Sequence, residues 1–473
     1  MNFGTLASLQ FALVLAGVYW MLKKNDELPL LASMCLFYIA SYRFWAVKVG
    51  LNIPADLSNF GFAAVTYDRS LSALRYIVLG ELSFLVSYMA LRTKPLPLVP
   101  ATTDLTFLTW LRPKVIFTGI ACLPLVLLVR GSVTNQTMEG RSMGFEVSSY
   151  LILLPLMLVG LATLLLCLWR FGGLPTAAWK FAAILCLSGL FHLTFSSAGR
   201  FQFLGWMITG SVVLSSAYKP FKRLALLCVV GALGMSVFAF AGAMRQEFAV
   251  QEFGMKKLTW IRAFSAEDAN MLDGFVLLQQ VYPSLLPYGH GREHLEVLIR
   301  PIPRKLWPGK PVGGYMNKLG LITANDGFTL GISPTLFGSL YGEGALAGVL
   351  IGSILYGIAF GSVVNLTRRI QPFGAVLIRA CLCASLVPLL RGGDLPGIYA
   401  WIGMAFWPCF LLLWMKRKTL FSPAQPVVPA THASAAADAA SFTEIAAQFA
   451  PEPGKKSPSR AIHFFRSGKP PSE

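Results

Sequence analysis

A chain of 473 residues that is 55% hydrophobic and only 13% charged lies outside the balance of an ordinary soluble domain and reads as a polytopic membrane protein. Its net charge of +18 would point to nucleic acid in a soluble chain. Here the cations sit in short connections between apolar runs, with no basic patch of interleaved aromatics, so nucleic acid is excluded as a partner.

An apolar stretch of about 20 residues crosses a bilayer as a helix, and about eleven such stretches predict an all-α fold. They run 5–22, 28–46, 76–91, 115–130, 148–168, 181–194, 201–218, 224–243, 345–366, 373–390 and 396–415. The N-terminus has no basic region ahead of its apolar run and no small-residue cleavage site, so it reads as a retained first span. All eight cysteines fall inside apolar runs, which argues against disulfides and zinc ribbons.

Cations fall in alternate connections: Lys23 and Lys24, then Arg92, Lys94, Arg112 and Lys114, then Arg170 and Lys180, then Lys219, Lys222 and Arg223, then Arg368 and Arg369, then Lys416 to Lys418. The positive-inside rule makes that side the cytoplasm, with the N-terminus outside and the C-terminus inside. Four segments follow: residues 1–243 with eight spans, a large exterior loop at 244–342, three further spans in 343–415, and a basic tail at 416–473. The tail is rich in Ala, Pro and Ser and reads as disordered.

Within the exterior loop, Phe275 to Leu286 predicts a short apolar helix lying at the interface. Glu293 to Ile299 predicts a turn or two of helix that stops before Pro301, because a residue preceding proline is pushed out of the α region. Arg300-Pro-Ile-Pro must then be extended, and Trp307 suits the headgroup level. The segment carries prolines, cations and histidines that a bilayer core would not accept unpaired, so it is expected in water or lining a cavity. The chain re-enters through Tyr341-Gly-Glu-Gly-Ala-Leu-Ala-Gly348, whose small residues permit close helix packing.

Arginines gather at the exterior ends of spans: Arg200, Arg245 and Arg391, joined from the loop by Arg292, Arg300, Arg304 and Lys310. Guanidinium pairs bidentately with phosphate, so this set predicts a site for a pyrophosphate, although each arginine alone also reads as an interfacial snorkeler. Arg379 lies deeper, within a span, and a buried pair with Glu81 is one structural alternative. Exterior acids and histidines are too many for spacing to choose a base among them. His294 reads as a proton acceptor or phosphate donor, and Asp394 as either a functional carboxylate or a solvated turn. His290 and His294 share an i, i+4 spacing, but Gly291 lies between them and no third ligand is evident, so no metal site is predicted.

The motifs Ser197-Ala-Gly-Arg200, Ile302-Pro-Arg-Lys-Leu-Trp-Pro-Gly-Lys-Pro311, Ser333-Pro334 followed by Phe337-Gly-Ser-Leu-Tyr341 and Gly344, and Arg391-Gly-Gly-Asp-Leu395 resemble those of the bacterial O-antigen or oligosaccharide repeat-unit polymerases, Wzy-type. The resemblance covers most of the chain except the tail. It implies a GT-C-like polymerase or ligase architecture in the bacterial inner membrane. It also implies a glycosyltransferase, working without a cofactor, that moves a chain from undecaprenyl pyrophosphate to the sugar hydroxyl of an incoming lipid-linked repeat unit. Its partners would be that lipid-linked oligosaccharide, membrane lipid, and a flippase and chain-length regulator of the same pathway. The resemblance carries Arg200, Arg245 and Arg391 over as binders of phosphate or leaving group; Arg300, Arg304 and Lys310 join them as pyrophosphate binders on the reading of the loop, and His294, Asp394 and Glu343 are the candidate catalytic residues. Glu343 departs from the Asn or Phe expected before the glycine. An O-antigen ligase using the same donor and a lipid-oligosaccharide flippase are the alternatives.

Overall fold

The computed structural model describes residues 2–54, 61–92, 94–97, 105–138, 156–194, 200–249, 264–266, 269–299, 302, 306–307, 318–319, 333–393 and 395–421. Within its helices the side chains of residues 105, 125–138, 191–194, 200–203, 205–206, 238 and 241–249 are outside that description. The chain divides into the units Met1–Ala424 and Gln425–Glu473, and all described residues belong to the first. The expected disordered tail therefore lies outside them beyond residue 421.

Every regular element among the described residues is helical. In chain order these are α1 (Phe3–Lys24), α2 (Leu28–Lys48), α3 (Tyr67–Ala90), α4 (Leu105–Met138), α5 (Met157–Arg170), α6 (Ala177–Thr194), α7 (Arg200–Ser215) and α8 (Pro220–Ala249). There follow α9 (Met271–Val281), α10 (Arg292–Ile299), α11 (Thr335–Leu366), α12 (Pro372–Arg391), α13 (Leu395–Met415) and the short α14 (Arg417–Leu420). Seven are long and apolar enough to cross a membrane: α1, α2, α3, the Pro220–Val237 part of α8, α11 with the turn after it, α12 and α13. The protein is thus all-helical and polytopic. Helices α4 to α7 occupy the places of the other expected spans, with residues 148–155 outside the described set.

Local chemistry fixes the ends of these helices. The Asn2 side chain accepts the Thr5 N–H at 2.9 Å to cap α1, and Asn25 ends it in the left-handed conformation that asparagine tolerates. That turn sends the chain straight into Asp26, Glu27 and the proline at the head of α2. Midway, α2 takes a π turn at Tyr38–Tyr42, which aims Ser41 at Gln10 of α1. Gln10 in turn donates to the buried Glu81 of α3 at 2.6 Å.

The core is centred on α3 and α11. A Cβ on Gly357 would collide with the Phe84 carbonyl, and the Phe337 ring fills the space over Gly80, so glycine lets these two backbones approach closely. α11 itself is broken at Gly344 and Ala345, and Ala345 takes a φ of 50°, a region costly for any residue with a Cβ. Residues 335–343 fold back beside the start of 346–366. The Leu340 carbonyl lies where a Cβ on Gly348 would be, although eight residues of straight helix would separate the two by about 12 Å.

α9 differs from expectation. It spans Met271–Val281, and every residue in it except Gln279 and Gln280 is buried, so it is a core helix rather than one lying at an interface. A buried ion pair between Arg43 and Asp273, 2.7 Å long, pins it to α2. Arg43 also donates to the Ile53 carbonyl at 3.0 Å and the Ala266 carbonyl at 3.3 Å.

Candidate active site

The break in α11 exposes backbone groups that must find partners away from water. The carbonyls of Gly342 and Glu343 accept the N–H groups of Gly289 and His290, both at 2.9 Å. His290 and Gly291 then take φ values of 49° and 90°, a left-handed turn that gathers successive N–H groups into a concavity suited to an anion. The Glu343 carboxylate fills it. One oxygen accepts from Gly291 N–H and the other from Glu293 N–H at 2.9 Å, so this side chain caps α10 at the positive end of its dipole.

His294, one turn into α10, sits between that carboxylate and two phenols. Its Nδ1 is 3.8 Å from Glu343 Oε1, within ion-pair range but beyond a hydrogen bond, and its Nε2 is 2.9 Å from the Tyr356 hydroxyl. The Tyr356 hydroxyl in turn meets the Tyr399 hydroxyl in a short hydrogen bond. Three separate elements, α10, α11 and α13, thus align four groups: Glu343 within ion-pair range of His294, and His294, Tyr356 and Tyr399 hydrogen-bonded in turn. His294, Tyr356 and Tyr399 are all half-buried, and Glu343 is buried. A carboxylate beside Nδ1 and a hydroxyl on Nε2 is the arrangement in which imidazole takes a proton from the hydroxyl.

Further acids lie against the same site. Glu293 and Glu296 are buried on the inner face of α10, and Lys318 Nζ lies 2.9 Å from Glu293 and 3.8 Å from Glu296. Burial pushes the Tyr282 phenol up, and the neighbouring Glu293, Glu343 and Glu296 raise it further. Tyr282 stacks on Tyr288, and Tyr341 meets Tyr288, Tyr76 and Phe275 edge to face. Among the described residues no group of three His, Cys, Asp or Glu side chains could hold a metal ion.

Of the residues singled out by sequence, His294 and Glu343 are brought together. Arg391 closes α12, half-buried, just ahead of Gly392, which packs on Thr335 at the head of α11. Arg200 opens α7 and Arg245 lies in α8, but both side chains are outside the described set. Arg300, Arg304, Lys310 and Asp394 lie outside the described residues altogether. Tyr356 and Tyr399 carried no signal in the sequence beyond being aromatics in apolar runs.

A second charged constellation lies where the turn between α1 and α2 meets the ends of α3 and α11 and the cations of α8 and α12. Asp26 Oδ2 accepts the Tyr88 hydroxyl at 2.8 Å and Arg92 Nε at 3.2 Å, while Arg92 Nη1 reaches Asn365 at 2.7 Å. Glu27 is held between Arg223, at 2.7 Å, and Arg379. Arg223 and Arg379 also donate to the Asn25 carbonyl, at 3.2 and 3.0 Å. Burial alone would raise the Glu27 carboxyl, but the two guanidinium groups prevail and hold it at about 2. Arg379 therefore pairs with Glu27, not with Glu81, whose hydrogen-bond partner is Gln10.

These features define a membrane-spanning protein, helical throughout its described residues, with a carboxylate–imidazole–phenol site on α10, α11 and α13 and a buried ionic knot around the turn between α1 and α2. No known protein family, curated protein or solved structure matches the chain.

Proposed function

We propose that the protein is a glycosyltransferase that polymerises lipid-linked oligosaccharide repeat units, with about eleven spans in a GT-C-like arrangement. It would work at the periplasmic face of a bacterial inner membrane, with its N-terminus periplasmic and its C-terminus cytoplasmic. The observation that carries this reading is the Glu343–His294–Tyr356–Tyr399 chain, joined with the motif resemblance described above. Glu343 orients His294, and Nε2 draws the proton from Tyr356 as that phenol takes one from the acceptor sugar hydroxyl. The acceptor oxygen then bonds to the anomeric carbon of the donor, the bond to the pyrophosphate oxygen breaks, and the leaving lipid pyrophosphate carries away the electron pair. Arg200, Arg245, Arg300, Arg304, Lys310 and Arg391 would stabilise that leaving charge, and Asp394 is a further candidate for proton transfer. The donor brings its own activated bond, so the step requires no nucleotide.

Deleting the gene in its host and resolving the surface polysaccharide on a gel tests the reading. Single-repeat products support it. Complete chains unattached to their lipid acceptor indicate a ligase, and intermediates trapped facing the cytoplasm indicate a flippase.

A further inference from the structure

α10 is amphipathic the wrong way round for a helix in water. Its acids Glu293 and Glu296 are each 7% exposed, whereas Leu295 and Leu298 are 64% and 75% exposed. Nearby, Leu285, Leu306 and Trp307 are also open, at 60%, 77% and 40%. Ion pairing explains the buried side, since Lys318 lies within reach of both glutamates, but nothing aqueous explains the leucines.

Depth supplies the explanation. Tyr356, which His294 touches, lies eleven residues beyond the break at Ala345, or about 16 Å along the axis of α11. Glu343 at the break and Tyr399, four residues or about 6 Å into α13, bound the same site on its other side, so α10 lies alongside the first turns of these spans, within half of a hydrocarbon core about 30 Å thick. At that level α11 turns Ile351, Ile354, Leu355 and Ile358 outward, all between 41% and 60% exposed. α10 packs directly on α13, itself a span, so its open stripe of Leu295 and Leu298, with Arg292 at its N-terminal end, stands beside the spans.

We infer that α10 is embedded in one leaflet, with Leu295 and Leu298 against lipid acyl chains and the Glu343–His294 site directly behind it. The helix is then the partition between lipid and site, and a lipid-anchored ligand would approach from the side rather than from the water above. The inference stands on burial and depth alone and is independent of the reaction proposed for the site.

The test places the photoreactive residue p-benzoylphenylalanine at position 295, 298 or, as control, 296, in full-length protein in nanodiscs of phosphatidylethanolamine and phosphatidylglycerol. After irradiation, intact-mass spectrometry should show single-lipid adducts at 295 and 298, several-fold above those at 296. Cross-linked dimers at 295 and 298 would overturn the inference in favour of a second copy as the occupant. Equal adducts at all three positions, or none, would overturn it outright. Hydroxyl-radical footprinting puts the same question to the unsubstituted protein: Leu295 and Leu298 should stay unoxidised in nanodiscs, and oxidation at the rate of a water-exposed leucine refutes the placement.

Discussion

Replacing Glu27 by glutamine keeps the shape of the side chain and removes its charge, leaving Arg223 and Arg379 without the ion-pair partner they share. Two independent routes give the size of the loss. Holding the carboxyl at about 2 instead of 4.5 corresponds to about 3 kcal/mol at 1.4 kcal/mol per tenfold. Removing one partner of a buried ion pair typically costs about 3–5 kcal/mol, because the survivor stays buried and uncompensated. Equilibrium unfolding in mixed SDS micelles should therefore show Glu27→Gln destabilised by about 3 kcal/mol. The sign of the pH dependence is also fixed. A carboxyl with a lowered folded-state value stabilises fully above pH 4.5, and its contribution disappears as the pH falls towards 2. The Glu27→Gln variant should accordingly lose the part of the acid sensitivity that lies in that window. A change below about 1 kcal/mol, with an unaltered pH profile, would refute the claim that this carboxylate balances two buried guanidinium groups.

The contrasting substitution is Glu81→Gln. The one hydrogen bond on Glu81 comes from the neutral Gln10 amide, and a glutamine oxygen can accept it equally, so the same micelle titration should shift by less than about 1 kcal/mol. At the site, His294→Gln and Glu343→Gln should each lower polymerisation by about 10²–10⁴-fold in membranes supplied with lipid-linked repeat units, with normal membrane insertion. Tyr356→Phe should fall in the same range, and wild-type turnover from it would remove the phenol from the proton path. Alanine at Arg200, Arg245 or Arg391 should abolish polymerisation while the protein still inserts, and full-length polysaccharide from all three would discard their role on phosphate. Gly357→Leu should separate α3 from α11 and be read as loss of monodisperse protein on size exclusion, since its side chain would meet the Phe84 carbonyl.

Much of the helical frame was legible because a bilayer demands long apolar runs, and α1, α2, α12 and α13 lie close to where hydropathy puts them. Hydropathy places the start of the third span at residue 76, yet α3 begins at Tyr67, because its first two turns bury Ser70, Leu71, Ala73 and Leu74 on one face while Asp68, Arg69 and Arg75 stay exposed on the other. α10 was readable from the proline that follows it. Its orientation was not, since a short run of Glu and Leu at helical spacing does not reveal which face meets lipid. Of the site, His294 and Glu343 stood out as ionisable groups near the large loop, but their meeting depends on a fold-back marked only by Gly-Glu-Gly-Ala at 342–345. Tyr356 and Tyr399 were invisible for a different reason: an aromatic in an apolar run looks the same whether its hydroxyl is bonded or bare. The partner of Arg379 was missed because Glu27 lies in a tight turn 352 residues away, and pairing across such a distance follows from packing, not from spacing.

The break within α11 also bears on how the chain is made. Its 32 residues carry a single charged side chain, Glu343, and insertion machinery selecting by length and hydrophobicity would receive them as a single crossing. Reporter fusions placed after its end would report the same sidedness whether or not residues 335–343 had doubled back. The doubling back is secured by the amides of Gly289 and His290, which meet the carbonyls of Gly342 and Glu343. Only in that doubled-back arrangement does the Glu343 carboxylate reach the amides of Gly291 and Glu293, so correct sidedness of the flanking segments would not by itself report an assembled site.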